Sequence, residues 1–377
     1  KSINNIHALI LLNKYPQTVI TRRCSLMFKK TFIPTFIAFA VGLSSYASAC
    51  TRAVYLGNNQ HIITARSMDW KFDTGTNLWI LPSGVARDGS AGPNSIKWTS
   101  KYGSVIATGY EVSTTDGMNE AGLVANVLWL VESQYPDVKN SNKPLLSIAA
   151  WAQYVLDNFA TVDEAVKALE KEPYTIVTDS VPGESRLTTL HLSISDKTGD
   201  SAIIEYIGGK QVIHHSRNYQ IMTNSPTFDK QLALAEYWKQ IGGTVMLPGT
   251  NRASDRFARA SFYINAIPKN DDMKQAQASV FSVIRNASVP YGLNTQEEPN
   301  ISSTRWRTVA DHKQMLYFFE SALSPNVFWV DLKKINFKDG KTRRLDLGPE
   351  QSHIYAGDAT FDFKIAKPFA FLSPKTL

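Results

Sequence analysis

Cys50 is the sole cysteine after residue 49, and it directly follows a segment with the three zones of an export signal. From Met27 the chain has a basic start (Lys29, Lys30), an apolar run over 32–43 and the small-residue end Ala47-Ser48-Ala49, the pattern of a signal peptide with an A-x-A cleavage site. Cleavage after Ala49 would put a free thiol and a free α-amine on one residue, Cys50. A chain of this kind must fold so that its own new terminus lies in a functional site. The apolar run is far short of the roughly 20 residues that span a bilayer, so no permanent membrane anchor is expected. Residues 1–26 precede Met27 and show no sustained period; they read as upstream sequence, with 27–49 as the signal and 50–377 as the catalytic domain. The expected destination is the periplasm or the medium.

A cysteine at a signal end is also how bacterial lipoproteins begin, and lipidation would consume both reactive groups. Ala47 stands where such signals usually carry Leu, and a strand-like run starts at Thr51 with no Ser/Gly tether, so the nucleophile is the favoured reading. Residues 1–49 hold six Lys or Arg and no Asp or Glu, so the formal charge falls from +7 to +1 on their removal. The basic character thus belongs largely to the leader, and nucleic acid is not an expected partner. A lone cysteine in an exported chain has no intramolecular disulfide partner, which leaves a thiol that must be buried or used.

Residues 51–56 and 61–66 are both β-prone, and the polar Gly57-Asn58-Asn59-Gln60 reads as a four-residue hairpin loop. Pairing Leu56 with His61 sets Cys50 opposite Ser67 and brings Arg66 and Asp69 beside the new terminus. In that register strict alternation sends Arg66 and Asp69 to opposite faces, so both reach Cys50 only where the strand ends or bulges near Ser67. The cluster suits acyl transfer. A free cysteine with a pKa of about 8.5 is mostly protonated at neutral pH. Its own α-amine, with a reference pKa of about 7.7 to 8.0, is the nearest base. Arg66 would stabilise the thiolate, and Asp69 would accept from the ammonium while it waits to protonate the leaving nitrogen. An exposed Arg-Asp pair at a strand end is the alternative.

Cys50-Thr51-Arg52 followed by Arg66-Ser67-Met68-Asp69-Trp70 resembles the opening of the choloylglycine hydrolase family, which includes penicillin V acylases and conjugated bile salt hydrolases. The likeness continues through Asn119-Glu120-Ala121-Gly122-Leu123, Thr223-Asn224-Ser225-Pro226 and Ser254-Asp255-Arg256-Phe257, in the family's order and at similar spacings. The resemblance implies Cys50 as nucleophile, Arg66 as thiolate support, Asp69 as amine acceptor, Asn224 as side-chain oxyanion donor and Arg256 as a second site arginine. Bland readings exist for the last two: Asn-Ser-Pro is a common turn, and Arg256 could be a surface residue in the first turn of a helix capped by Ser254. Trp129 occupies a position held by Tyr or Asn in the two better-known branches. An indole N–H only donates, so Trp129 is expected to wall an acyl pocket, with the second oxyanion donor a backbone N–H at or next to it. Met68, Trp70 and Trp79 complete the expected substrate-binding set.

Helical spacing marks 145–158, 161–171 (opened by the capping-box pattern Thr161-Val162-Asp163-Glu164), 229–239, 255–267 and 272–286. Strand patterns cover 123–130, 188–195, 201–207, 219–223, 306–311, 315–320 and 327–331, and their short polar breaks imply antiparallel pairing. The stretch 288–303 reads as one long surface loop. An α/β fold with largely antiparallel sheets follows; the family resemblance implies the four-layer αββα sandwich of N-terminal nucleophile hydrolases. No cofactor and no metal are expected, since the seven His lack ligand spacing and Ile335 spoils the phosphate-loop pattern ending in Gly340-Lys341-Thr342. The expected partner is a small-molecule acyl amide: penicillin V first, N-acyl homoserine lactones second, bile salt conjugates third. A homotetramer stays open, as does a lipid-anchored, catalytically silent binding protein on the same fold.

Overall fold

The opening hairpin pairs β1 (Thr51–Leu56) with β2 (Ile62–Asp69). Its register sets Thr51 opposite Ser67, Arg52 opposite Arg66 and Leu56 opposite Ile62, one residue away from the expected pairing. The loop is longer than the sequence suggests, because Asn58–Gln60 form a single 3-10 turn with Asn59 and Gln60 at positive φ, closed by Gly57 N–H donating to His61 C=O at 3.0 Å. That one-residue shift matters. It puts Arg66 and Met68 on the face of Cys50 by simple alternation, without a bulge in β2.

A computed structural model describes residues 50–293 and 302–375, all within one unit, Ser45–Leu377. The upstream and signal segments and part of the 288–303 loop lie outside the described residues. β1 and β2 belong to a seven-stranded sheet ordered Ile221–Met222, β1, β2, Thr304–Asp311, Leu316–Ser321, Val327–Asp331 and Gly357–Asp358. A nine-stranded sheet runs Lys210–His215, Ser201–Ile207, Leu190–Ser195, Val124–Trp129, Ser113–Asn119, Ser104–Gly109, Leu78–Leu81, Arg343–Leu345 and Lys364–Ile365. Within both sheets pairing is antiparallel except where Val327–Asp331 meets Gly357–Asp358.

Helices α1 (Trp151–Asn158) and α2 (Val162–Leu169) pack Trp151, Val155, Val162 and Val166 onto Ile106, Ala125 and Ile204 of the nine-stranded sheet. On the other side α3 (Phe228–Ile241), α4 (Ala253–Ala266) and α5 (Met273–Asn286) contribute Phe228, Phe257, Ile264, Val280 and Ile284 to a core shared with Ala53, Tyr55 and Ile63. The same core takes Val105, Met118 and Leu128 from the facing sheet. The layer order is therefore helix, sheet, sheet, helix, the αββα sandwich. A strand buried on both faces cannot alternate apolar with polar, and β2 is accordingly buried at every residue, including Arg66, Ser67 and Asp69.

Local chemistry sets most ends. Thr161 accepts from Glu164 N–H to start α2, and Asp272 accepts from Lys274 and Gln275 to start α5. The expected helix over 145–158 divides: Leu145–Ser147 pairs in parallel with Thr175–Val177, a 3-10 turn follows, and α1 starts only at Trp151. Ser254 does not cap α4; Arg252 holds that position and the Ser254 hydroxyl meets Asp255.

Candidate active site

Cys50 directly precedes β1, belongs to the core to which both sheets contribute, and is 3% exposed. Its Sγ accepts from Asp69 N–H at 3.5 Å and lies 3.7 Å from Asp69 C=O, 4.0 Å from Met68 Sδ and 3.8 Å from Arg66 Nη2. The same Arg66 nitrogen donates to Met68 Sδ at 2.9 Å and to Val127 C=O at 3.2 Å, while Nε and Nη1 find no acceptor among the described residues. The guanidinium stacks 4.6 Å over the Trp306 ring. None of these partners is a carboxylate bonded to the guanidinium; its charge pulls down the pKa of the buried Asp116 and Asp69 carboxyls and of the Cys50 thiol alike, and so favours a thiolate there.

Cys50 N donates to Asn224 Oδ1 at 2.6 Å, across 174 residues of sequence. Arg256 is buried, not a surface residue of α4. Its Nη2 donates to the same Asn224 oxygen at 2.9 Å, and Nη1 donates to Cys50 C=O and Thr51 Oγ1, each at 2.6 Å. Asn224 Nδ2 in turn donates to Trp129 C=O at 2.7 Å, which leaves its second N–H to offer.

The Asp69 carboxylate takes a different course from the expected one. It accepts from Thr304 Oγ1 at 2.5 Å and Ser67 Oγ at 3.4 Å, and the amine position at Cys50 is taken by Asn224. Alternation explains this: Met68 faces Cys50, so the next side chain turns away and only the Asp69 main chain touches the sulfur. The strand opposite, Thr304–Asp311, shifts register between Thr304 and Trp306, which brings Thr304 against Asp69. Burial raises the Asp69 carboxyl to about 6, with Arg256, the Thr304 hydrogen bond and Arg66 opposing. Burial also raises the Cys50 thiol, against the pull of Arg66. A thiol held high needs a base beside it.

The motif Asn119-Glu120-Ala121-Gly122-Leu123 is a built turn. Asn119 Nδ2 holds the carbonyls of Leu156 and Phe159 at 2.8 Å, its Oδ1 accepts from Ala121 and Leu123, and Gly122 takes φ 90°. This turn starts the strand that ends at Trp129. Along that strand Val127 C=O points to Arg66 and Trp129 C=O to Asn224, whereas Leu130 N–H points away to Thr189 C=O at 3.0 Å. The N–H and C=O of one strand residue leave by the same edge, so Trp129 N–H faces the Cys50 side and Leu130 N–H is spent.

Beside the sulfur lies an apolar cavity of about 80 Å³, walled by Met68, Trp70, Val127, Trp129, Val181 and Leu190. The Trp70 and Trp129 rings are 5.3 Å apart, Trp70 donates to Tyr110 Oη at 2.7 Å, and Trp129 Nε1 has no acceptor among the described residues. The Arg186 guanidinium lies 4.2 Å over the Trp129 ring. Trp79 is a correction: it is not part of this wall. Leu78 and Ile80 face the core between the sheets, so Trp79 between them points to the opposite face, where it stacks on Phe369 and donates to Glu111. Sequence reasoning missed Thr304, Trp306, Tyr110 and Val181, which carry no local signal and come to the site only through sheet pairing and loop return. Among the described residues no group of three His, Cys, Asp or Glu could hold a metal, and no helix is long and apolar enough to cross a membrane.

Residues 50–346 match the linear amide C–N hydrolases of the choloylglycine hydrolase family, a match that starts at Cys50 itself. The chain is 61% identical over 359 residues to a penicillin V acylase of Pectobacterium atrosepticum, covering 89% of this chain and 95% of the relative. It is 26% identical over 298 residues to a bile salt hydrolase/transferase of Clostridium perfringens, covering 72% and 88%. Among solved structures it resembles penicillin V acylase from Agrobacterium tumefaciens at TM-score 0.81 and 69% identity, over 86% of this chain and all of that one. The fold is shared with conjugated bile acid hydrolase from C. perfringens at TM-score 0.69 and 23% identity, over 81% and 99%.

Proposed function

Because the chain belongs to the choloylglycine hydrolase family of linear amide C–N hydrolases, we propose that it is an exported penicillin V acylase whose nucleophile is the thiol of a matured Cys50. The observation that carries this reading is the convergence on one residue, Cys50, of Arg66 beside its sulfur, the Asn224–Arg256 pair on its main chain and an apolar wall containing Trp70 and Trp129.

Removal of residues 1–49 would turn Cys50 N into an amine. It takes the Sγ proton as sulfur attacks the amide carbon, and Arg66 offsets the thiolate charge. The developing oxyanion would be met by Trp129 N–H and the second N–H of Asn224, donors already oriented by their carbonyl and carboxamide bonds. The ammonium then protonates the leaving nitrogen, the C–N bond breaks and a thioester remains. Water attacks the thioester, its proton passing through the amine to Sγ, and the acid is released. An ammonium has three protons, so it could keep its bond to Asn224 Oδ1 and still give one to the ionised Asp69 carboxylate.

The cavity is well below the roughly 300 Å³ of ligand-sized pockets, so acyl groups enter by displacing its walls. Its Trp70–Trp129 surface suits a phenoxyacetyl group, and the same apolar character supports N-acyl homoserine lactones as the second reading. Bile salt conjugates rank third, since the relatives of that name are far less similar. A hydrolysis panel of penicillin V, penicillin G, lactones of graded chain length and glycine- or taurine-conjugated bile acids decides among them, with penicillin V expected to have the highest kcat/KM. Cys50→Ala should abolish turnover of every member while leaving the fold intact; near-normal rates would exclude covalent catalysis by this residue. The mass of the mature N-terminus is expected to be that of free cysteine, and a diacylglyceryl adduct would refute the amine-base mechanism.

A further inference from the structure

The two donors assigned above to the oxyanion come from different sheets. Trp129 ends a strand of the nine-stranded sheet, while Asn224 follows Ile221–Met222 at the edge of the seven-stranded one. No single ladder of backbone hydrogen bonds fixes their separation. Besides the direct bonds of Asn224 to Trp129 C=O and of Ser225 to Glu132, a buried pair spans the gap. His191 and Glu205 lie one step beyond the register pair Leu192 and Ile204 in the nine-stranded sheet, with His191 Nδ1 3.1 Å from Glu205 Oε1. His191 Nε2 is 2.8 Å from the carbonyl of Thr223, the residue before Asn224. Glu205 accepts from Phe228 N–H at 3.1 and 3.2 Å, where α3 begins. The short segment carrying Asn224 is thus held at its first carbonyl and its last amide by the same two side chains.

A carbonyl and a carboxylate only accept, so His191 makes both bonds together only as a doubly protonated ring, whose charge Glu205 offsets. His214, 3.4 Å from the other Glu205 oxygen, and Asp229 at the start of α3 are the remaining ionisable groups facing the carboxylate. Burial raises the Glu205 carboxyl, but the bonds from His191, His214 and Phe228 outweigh it and hold it at about 2. Buried polar groups this fully paired lock one geometry, since losing either partner strands the other.

We propose that His191 and Glu205 are a positioning pair that sets Asn224 against Trp129, and that they act on turnover through Asn224 without touching substrate. This rests on the oxyanion reading of Asn224. The test measures penicillin V hydrolysis in the mature enzyme, with rates taken on the native fraction isolated by size exclusion and verified by near-UV circular dichroism so that misfolded molecules do not count. His191→Phe should lower kcat about tenfold to a hundredfold, a share of what loss of a whole oxyanion donor costs, with KM nearly unchanged. In an Asn224→Ala background the same substitution should cost less than about threefold, because the group it positions is gone. Glu205→Gln keeps an acceptor for Phe228 and a donor for a singly protonated His191, and should stay within about threefold of the parent. Glu205→Met should fall with His191→Phe. An unchanged kcat in His191→Phe, or an equal loss in both backgrounds, overturns the pairing; should His191→Phe not fold, equal rates for Glu205→Gln and Glu205→Met do so. If Asn224→Ala itself keeps the parent kcat, the oxyanion reading falls, and the pair's role falls with it.

Discussion

Asp69 shows how burying a carboxylate costs stability. Its folded pKa of about 6 lies above the unfolded value of 3.8, so the folded state holds a proton that the unfolded state has lost between those limits. The group's contribution is therefore fully present below about pH 4, is lost as pH rises to about 6, and stays lost above. Asp69→Asn should raise the urea midpoint at pH 7.5, reporting a gain in unfolding free energy on the order of 1–3 kcal/mol. On the proposed role of the carboxylate as a second acceptor for the ammonium it should also lower kcat; an unchanged or lower midpoint would contradict the burial argument. Trp129 lines the apolar cavity, and its proposed contact is with the acyl group. Trp129→Ala removes apolar contact of about 1–3 kcal/mol, which predicts a loss in kcat/KM of roughly ten- to a hundredfold for penicillin V and long-chain lactones and a smaller loss for short chains. Equal losses at every chain length would instead mark a role in folding or in the oxyanion site.

At the scale of elements, β1 matters because it begins one residue after the proposed nucleophile. Thr51 is already in the ladder opposite Ser67, so the terminus has no slack in which to reposition its nitrogen. One uncleavable residue before Cys50 should leave the hairpin and the sheet intact, since Cys50 N already donates to Asn224 as part of the chain. Such a protein should show parental circular dichroism and urea midpoint yet hydrolyse nothing, because an amide nitrogen cannot take the Sγ proton. Full activity would sink the amine-base mechanism. The hairpin also shows where pattern reading slips. Its two strands were legible from β-prone composition, but the loop's 3-10 turn added a residue, and a one-residue slip reverses every face. The corrected register is what sets Arg66 beside the sulfur.

Across the whole molecule the two sheets are cross-linked by buried polar groups that titrate with the fold. His312 Nδ1 lies 2.7 Å from Gly122 C=O and Nε2 2.8 Å from Thr64 Oγ1, which itself meets Ser195 Oγ at 2.7 Å. Burial lowers this imidazole from 6.5 to about 4, so the folded state keeps it neutral where the unfolded state takes up a proton. Its contribution is present above about pH 6.5 and is lost as pH falls through about 4, a change on the order of 3 kcal/mol. His312→Gln keeps one donor for Gly122 and one acceptor for Thr64 but cannot titrate. It should flatten the fall of the urea midpoint between pH 6.5 and 4, and an unaltered slope would show that other groups set the acid limit. The sequence by itself determined the order of the family motifs, the α/β class and most helix starts, because capping, periodicity and turn chemistry act over a few residues; it also carries the expectation that Cys50 follows a removable segment. Three things were decided only by the tertiary structure: that Trp79 faces away from the cavity, that Asn224 reaches Cys50 N across 174 residues, and that Thr304 takes the Asp69 carboxylate. Each depends on register and on the packing of one sheet over another, where a side chain's partner is fixed by distance in space and leaves no mark in the residues beside it.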